Sequence, residues 1–376
     1  MNGEPGGPAA RPGHERDPRE GRSIGLDVVR ALAILFVLIS HYGTYFTAWC
    51  GVGFPFQLAA AGFFGVELFF VLSGFLIGRL LIDILDRGSS PRAWLVFMVR
   101  RWMRTLPLYY VCVAILLLTW SPQYWQPDHR LLWRDLPWFL TLTQNLAWRM
   151  VDNWFSVSWS LTIEEWFYLL FSGLLFAAAT LAGRRMAVWG TVLLFLVVPA
   201  LLRWRLPDST NWDEVTSKVV LYRLDAIAFG VVVAWMHMRR VVATRYPGLL
   251  LAAGLLIILL FWGGALDRLL RPPAHWRKTF MFDVASLGFA LWLPAAAAVR
   301  WRPHRWLAAP AQALSRQSYA IYLTHLTLIE MVNFYRTSLH LSASIAIIVT
   351  ITATYGLSYL SYRFLERPIL ALRPQQ

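Results

Sequence analysis

Apolar residues in this chain arrive in ten long runs, near 24–47, 62–86, 105–120, 160–181, 187–202, 218–238, 247–265, 279–299, 317–336 and 341–365. Shorter stretches of Arg, Pro, Gly and Trp divide them. Crossing the hydrocarbon core takes about 20 apolar residues in a helix, so each run predicts a membrane helix, the third and fifth being short. The fold class that follows is all-α, a polytopic integral membrane protein with about ten transmembrane helices forming one bundle over 23–368. Residues 1–22 are rich in Gly, Pro, Arg and Glu and hold no apolar run, so they predict a disordered tail and no signal peptide. Residues 369–376 form a short C-terminal tail. An even helix number puts both termini on one side. The loops on that side carry Lys and Arg in about a two-to-one excess, which predicts cytoplasmic termini. Arg268, Arg271, Arg277 and Lys278 run against the bias, on the outer side.

The polar residues inside the runs are the candidate chemistry, because ionisable groups in lipid cost several kcal/mol and face a bundle interior or a watery cavity. Arg30 and His41 stand eleven residues apart in the first run. That is about three helical turns, so both leave one face, with ~16 Å of rise between them. Glu67, early in the second run, needs a partner: either a structural salt bridge to Arg30, or His41, whose tautomer it would fix. Ser73-Gly74 suits close helix packing. Arg101 and Arg104 share a face at the cytoplasmic edge, serving either topology or a two-arginine clamp for phosphates.

The fourth run opens Trp159-Ser160-Leu-Thr-Ile-Glu164-Glu165-Trp-Phe-Tyr168. Adjacent carboxylates cannot share a helix face, whereas Glu164 and Tyr168 can line one surface. Arg223 and Asp225 are two apart and must each reach other helices, most simply as structural bridges. Ser318, Tyr322 and His325 fall on one stripe of the ninth run. His325 is either a second catalytic or gating group or a hydrogen-bonded core histidine. Pro368 is expected to stop the last helix. The longest loop, about 121–158, holds Trp125, Trp133, Trp138, Trp148 and Trp154, as interfacial anchors or as an aromatic lid over an acceptor.

Composition narrows the classes. At 57% hydrophobic and only 15% charged, the chain is not a soluble domain. The net charge of +14 lies mostly between apolar runs, so it sets orientation and does not indicate nucleic acid. Two distant cysteines, Cys50 and Cys112, offer no disulfide framework and no metal site.

Seven stretches in order resemble the membrane-bound acyltransferase-3 family. They are Leu26-Asp27…Arg30…His41, Gly65-Val-Glu67-Leu-Phe-Phe-Val-Leu-Ser-Gly, Arg101…Arg104, Trp159-Ser-Leu-Thr-Ile-Glu-Glu, Arg223-Leu-Asp225-Ala, Ser318-Tyr…His325 and Phe364-Leu-Glu366-Arg-Pro. Family members commonly carry Asp at the place of Glu67 and Gln at that of Trp166. The family includes bacterial O-acetylases of lipopolysaccharide, exopolysaccharide and nodulation factors, and acylases of macrolides.

The resemblance implies transfer of an acyl group, usually acetyl, from acyl-CoA to an acceptor hydroxyl in a bacterial plasma (inner) membrane. His41 would act as general base or acyl carrier, with Arg30 and Glu67 as its catalytic companions. Arg101, Arg104, Trp159, Glu164, Glu165, Arg223, Tyr322 and His325 would bind acyl-CoA and substrate. No cofactor or metal is bound permanently, and acyl-CoA is a co-substrate. The partners implied are membrane lipids and a carbohydrate or lipid-linked glycan acceptor, with a macrolide-like small molecule as the alternative. Some members continue into a soluble esterase-like domain. None follows Pro368 here, so direct transfer or a separate extracellular partner protein is expected. From other classes, a glycan or lipid transporter would explain buried charges, and a scaffold would use them only for packing.

Overall fold

A computed structural model of the chain describes residues 23–88, 90–119, 130–150, 154–299 and 304–374, without the side chains of 119, 130–133, 243, 305 and 307. The expected tail 1–22 and Trp125 lie outside the described residues, as does the side chain of Trp133. The described chain is helical throughout. Its main elements are α1 (Ile24–Trp49), α2 (Ala61–Arg87), α3 (Pro91–Thr119), α4 (Arg130–Leu140), α5 (Ser158–Ala182) and α6 (Arg184–Trp204). They continue as α7 (Leu224–Met238), α8 (Pro247–Trp262), α9 (Ala274–Ala290), α10 (Arg305–Arg336) and α11 (Ala343–Ser361). Among the described residues, seven helices are long and apolar enough to cross a membrane, and α7 and α8 are shorter apolar helices. The molecule is a polytopic membrane bundle, and each of the ten runs lies on one of these helices.

Two boundaries differ from expectation. The third run predicts a helix from 105, but α3 begins at Pro91 and carries Arg100, Arg101 and Arg104 within it. Apolar neighbours such as Phe97 and Met98 are fully buried, and they extend the helix across the arginine-rich stretch. Pro368 does not end the last helix either. A wide turn over Tyr362–Glu366 leads into a further helix, Arg367–Ala371, with the proline in its first turn. There its missing N–H costs nothing, because the first helical N–H groups have no intrahelical partner.

The hub is α2, which packs against α1, α7, α9 and α5. Its closest approach is to α7. A Cβ on Gly74 would sit 1.8 Å from the Ile227 carbonyl oxygen, and one on Gly230 would sit 2.0 Å from that of Val71. Backbone meets backbone from both sides, as small residues permit in membranes where no hydrophobic drive operates between helices. The packing role expected of Gly74 is therefore its role here.

Lys278, counted above among the outer charges, is a buried helical group in α9, and Arg203 is buried near the end of α6. The tryptophan loop also divides. Trp154 is buried against Phe139, with ring centroids 4.4 Å apart, so it is neither anchor nor lid. Trp138 and Trp148 pack edge to face at 5.2 Å and stay exposed.

Candidate active site

α1 and α10 run side by side in the same direction. Arg30 Nη1 donates to Ser315 Oγ at 3.4 Å, and His41 Nδ1 meets His325 Nε2 at 2.7 Å. The eleven-residue interval on α1 thus matches a ten-residue interval on α10, about three turns on each. Ser315 Oγ also donates to Asp27 Oδ1 at 2.6 Å, which ties Arg30's surroundings to the start of α1.

At the Arg30 level a cavity of about 380 Å³ opens between α1, α2, α3, α5 and α10. Arg30, Arg101 and Arg104 line it together with Glu164. Its hydroxyls come from Ser73, Thr105, Ser160, Tyr168, Ser318, Tyr319 and Tyr322. The two neighbouring glutamates part as expected. Glu164 Oε2 accepts from Tyr168 at 3.0 Å, and Tyr168 shares a 2.5 Å hydrogen bond with Ser73. Glu165 turns to Thr105, which donates to its Oε1 at 2.6 Å. Ser160 donates to the Tyr322 hydroxyl at 2.8 Å. Three guanidinium groups facing a partly apolar chamber make an anion-binding space, since guanidinium donors match phosphate and carboxylate oxygens.

The histidine pair lies beyond this cavity. Tyr322, which lines the cavity, stands 5.9 Å from the His325 ring and 6.3 Å from that of Phe69 (centroid to centroid). His325 is fully buried, while His41 is half-buried. The geometry assigns the protons. His325 Nδ1 faces the carbonyl oxygens of Tyr322 at 2.8 Å and Ile321 at 3.1 Å, and carbonyls only accept. A neutral His325 therefore carries its proton on Nδ1 and accepts at Nε2. His41 must then donate from Nδ1, which leaves the lone pair on its Nε2. An oriented imidazole with one nitrogen open is the arrangement a general base requires.

Glu67 is not the partner of His41, nor of Arg30. Its carboxylate pairs with Arg223 and accepts from Ser286 Oγ at 2.8 Å, all fully buried between α2, α7 and α9. The Phe282 ring lies 4.0 Å from the Arg223 guanidinium. A second buried cation, Arg203, bridges Asp225 at 2.6 Å and Asp283 at 2.8 Å. Arg223 and Asp225 thus reach other helices as expected, but neither lines the cavity. Trp159 packs edge to face on Phe70 at 6.1 Å, also outside it. Sequence reasoning missed Arg203, Asp283, Ser286 and Ser315. The buried position of Arg203 carried one signal, an arginine directly following an apolar run. No group of three metal-ligating side chains occurs among the described residues.

A family model described as an acyltransferase domain matches residues 23–363. The chain belongs to this acyltransferase-3 family. Similar proteins include the peptidoglycan O-acetyltransferase OatA of Listeria monocytogenes, 25% identical over 390 residues, covering 92% of this chain and 55% of that protein. YrhL of Bacillus subtilis, whose name provisionally assigns it to peptidoglycan O-acetylation, is 25% identical across 92% of this chain and 54% of its own length. A Staphylococcus aureus protein provisionally named an O-acetyltransferase is 26% identical, covering 92% of this chain and 56% of itself. The chain spans about half the length of these curated relatives. No solved structure matches.

Proposed function

We propose that the chain is an O-acyltransferase that moves an acyl group, acetyl by preference, from acyl-CoA to a hydroxyl of a cell-surface glycan or its lipid-linked precursor. The observation that carries this reading is the His41–His325 pair, 2.7 Å apart, set about three helical turns beyond Arg30 and beside Tyr322 of the arginine-lined cavity. In the reaction, His41 Nε2 takes the proton of the acceptor hydroxyl as its oxygen attacks the thioester carbonyl. The new C–O bond forms, the C–S bond breaks, and the thiolate leaves as CoA, taking the proton back from His41. His325 is a positioning residue that fixes the His41 tautomer.

The donor enters from the cavity, with Arg101 and Arg104 toward its phosphates and Arg30 nearer the acyl end. Tyr322 and Phe69 bound the path by which the pantetheine arm reaches the pair. Glu164 and Tyr168 line the donor chamber, and Glu165 fixes α5 to α3 through Thr105. Glu67 and Arg223 act through the fold: they hold α2, α7 and α9 in register. The donor side is cytoplasmic, in keeping with the arginine bias and the origin of acyl-CoA. The glycan acceptor is favoured over a macrolide-like molecule because OatA is named for peptidoglycan.

The test is transfer of labelled acetyl from acetyl-CoA to isolated glycan by the purified chain in nanodiscs. Label in the glycan as alkali-labile ester, absent with His41→Ala, is the expected result. Wild-type protein that acylates only small hydroxylated molecules would move the acceptor to the other class.

A further inference from the structure

The residues after the last long helix return to the arginine-bearing stretch of α3. The helix Arg367–Ala371 packs on α3, and beyond it Arg100 Nη1 donates to the Pro374 carbonyl at 2.7 Å. This brings Arg373 beside the arginine run of α3. Burial pushes the Arg373 guanidinium down to about 10, and Arg104, Arg101 and Arg100 act in the same direction as like charges. Despite that repulsion, Arg373 Nε and Nη2 are buried and have no hydrogen-bond partner among the described residues, and the same holds for Arg101 Nε. Crowded cations with unused, dehydrated donors are expensive, and an anion carrying several acceptor oxygens relieves both costs. Arg101 and Arg104 line the cavity, so an anion held by this cluster adjoins it.

We propose that Arg373, strapped against α3 by the Arg100–Pro374 hydrogen bond, completes the binding site for the phosphates of the acyl-CoA donor. This rests on the acyl-CoA reading above. CoA ends in a diphosphate and a phosphate monoester at some distance from the thioester. A site with Arg101 and Arg104 alone addresses one group, and Arg373 with Arg100 supplies donors for a second. The C-terminal strap therefore selects for the nucleotide end of the donor and leaves the reactive end untouched.

The experiment is titration of the full chain, in phosphatidylcholine nanodiscs, with CoA and separately with pantetheine, which lacks the nucleotide. Arg373→Ala is expected to weaken CoA binding about tenfold while pantetheine binding and thermal unfolding stay as in wild type. Arg373→Lys, which keeps the charge but not the fork, should recover only part of the affinity. CoA affinity unchanged in Arg373→Ala overturns the assignment. So does loss of phosphatidylglycerol binding with CoA binding intact, which would give the cluster to a lipid headgroup. Wild-type protein that binds no CoA at all would instead remove the acyl-CoA reading itself.

Discussion

Two polar regions share this bundle and are built on opposite principles. Around Arg203 and Arg223 the charges are sealed. Glu67, Asp225, Asp283 and Ser286 meet the two guanidiniums, and aromatic Phe282 covers both, at 5.4 Å and 4.0 Å. Around Arg30, Arg101 and Arg104 the charges line an open cavity in which hydroxyls outnumber carboxylates. Cost alone does not separate the two, since both place ions inside an apolar bundle. Space does. A charge whose partners fill its surroundings holds helices together, whereas a charge facing a chamber wide enough for a ligand awaits one.

Breaking one half of the sealed region gives the largest effect. Glu67→Leu strands Arg223 in a dry interior and should cost about 3–5 kcal/mol of stability, seen as a lower unfolding temperature and poor recovery from the membrane. Adding Arg223→Leu should restore most of that stability. Failure of the double variant to do so would mean that the pair serves more than packing.

The open region should respond the other way. Arg104→Ala is expected to leave unfolding within about 0.5 kcal/mol of wild type, because Arg104 makes no hydrogen bond or ion pair among the described residues and touches Glu164 and Glu366 only through longer-range attraction. The KM for acetyl-CoA should rise about tenfold with little change in kcat, as when a charged hydrogen bond to a bound ligand is removed. A parallel fall in stability would erase the distinction between the regions. The smallest effect expected is that of Ser286→Ala, about 1 kcal/mol in unfolding and none on acyl transfer, since Glu67 keeps Arg223.

Much of the architecture could be read from the chain. Ten apolar runs become ten helices because a membrane helix must satisfy its own backbone, and that requirement is written residue by residue. The shared face of Arg30 and His41 followed from helical period alone. The separation of Glu164 from Glu165 followed from the same rule. The pairings across helices could not be read this way. Whether Glu67 meets Arg30, His41 or Arg223 depends on the rotation and depth of three helices, which single-helix periodicity does not contain. For the same reason His325 emerged as a candidate group but not as the partner of His41. Arg203 was missed because a charge at the end of an apolar run looks like a loop charge. Only the tertiary arrangement shows that α6 continues and that Asp225 and Asp283 lie opposite.

The central claim is that His41, oriented by His325, performs the proton transfer of acyl transfer. The most direct measurement is single-turnover release of CoA thiol from acetyl-CoA by wild type, His41→Ala and His325→Ala, each shown to be folded and to bind CoA. The account predicts loss of about a hundred- to ten-thousand-fold for His41→Ala and about a hundredfold for His325→Ala, with donor affinity retained. Wild-type release by His41→Ala, with CoA bound normally, would contradict it.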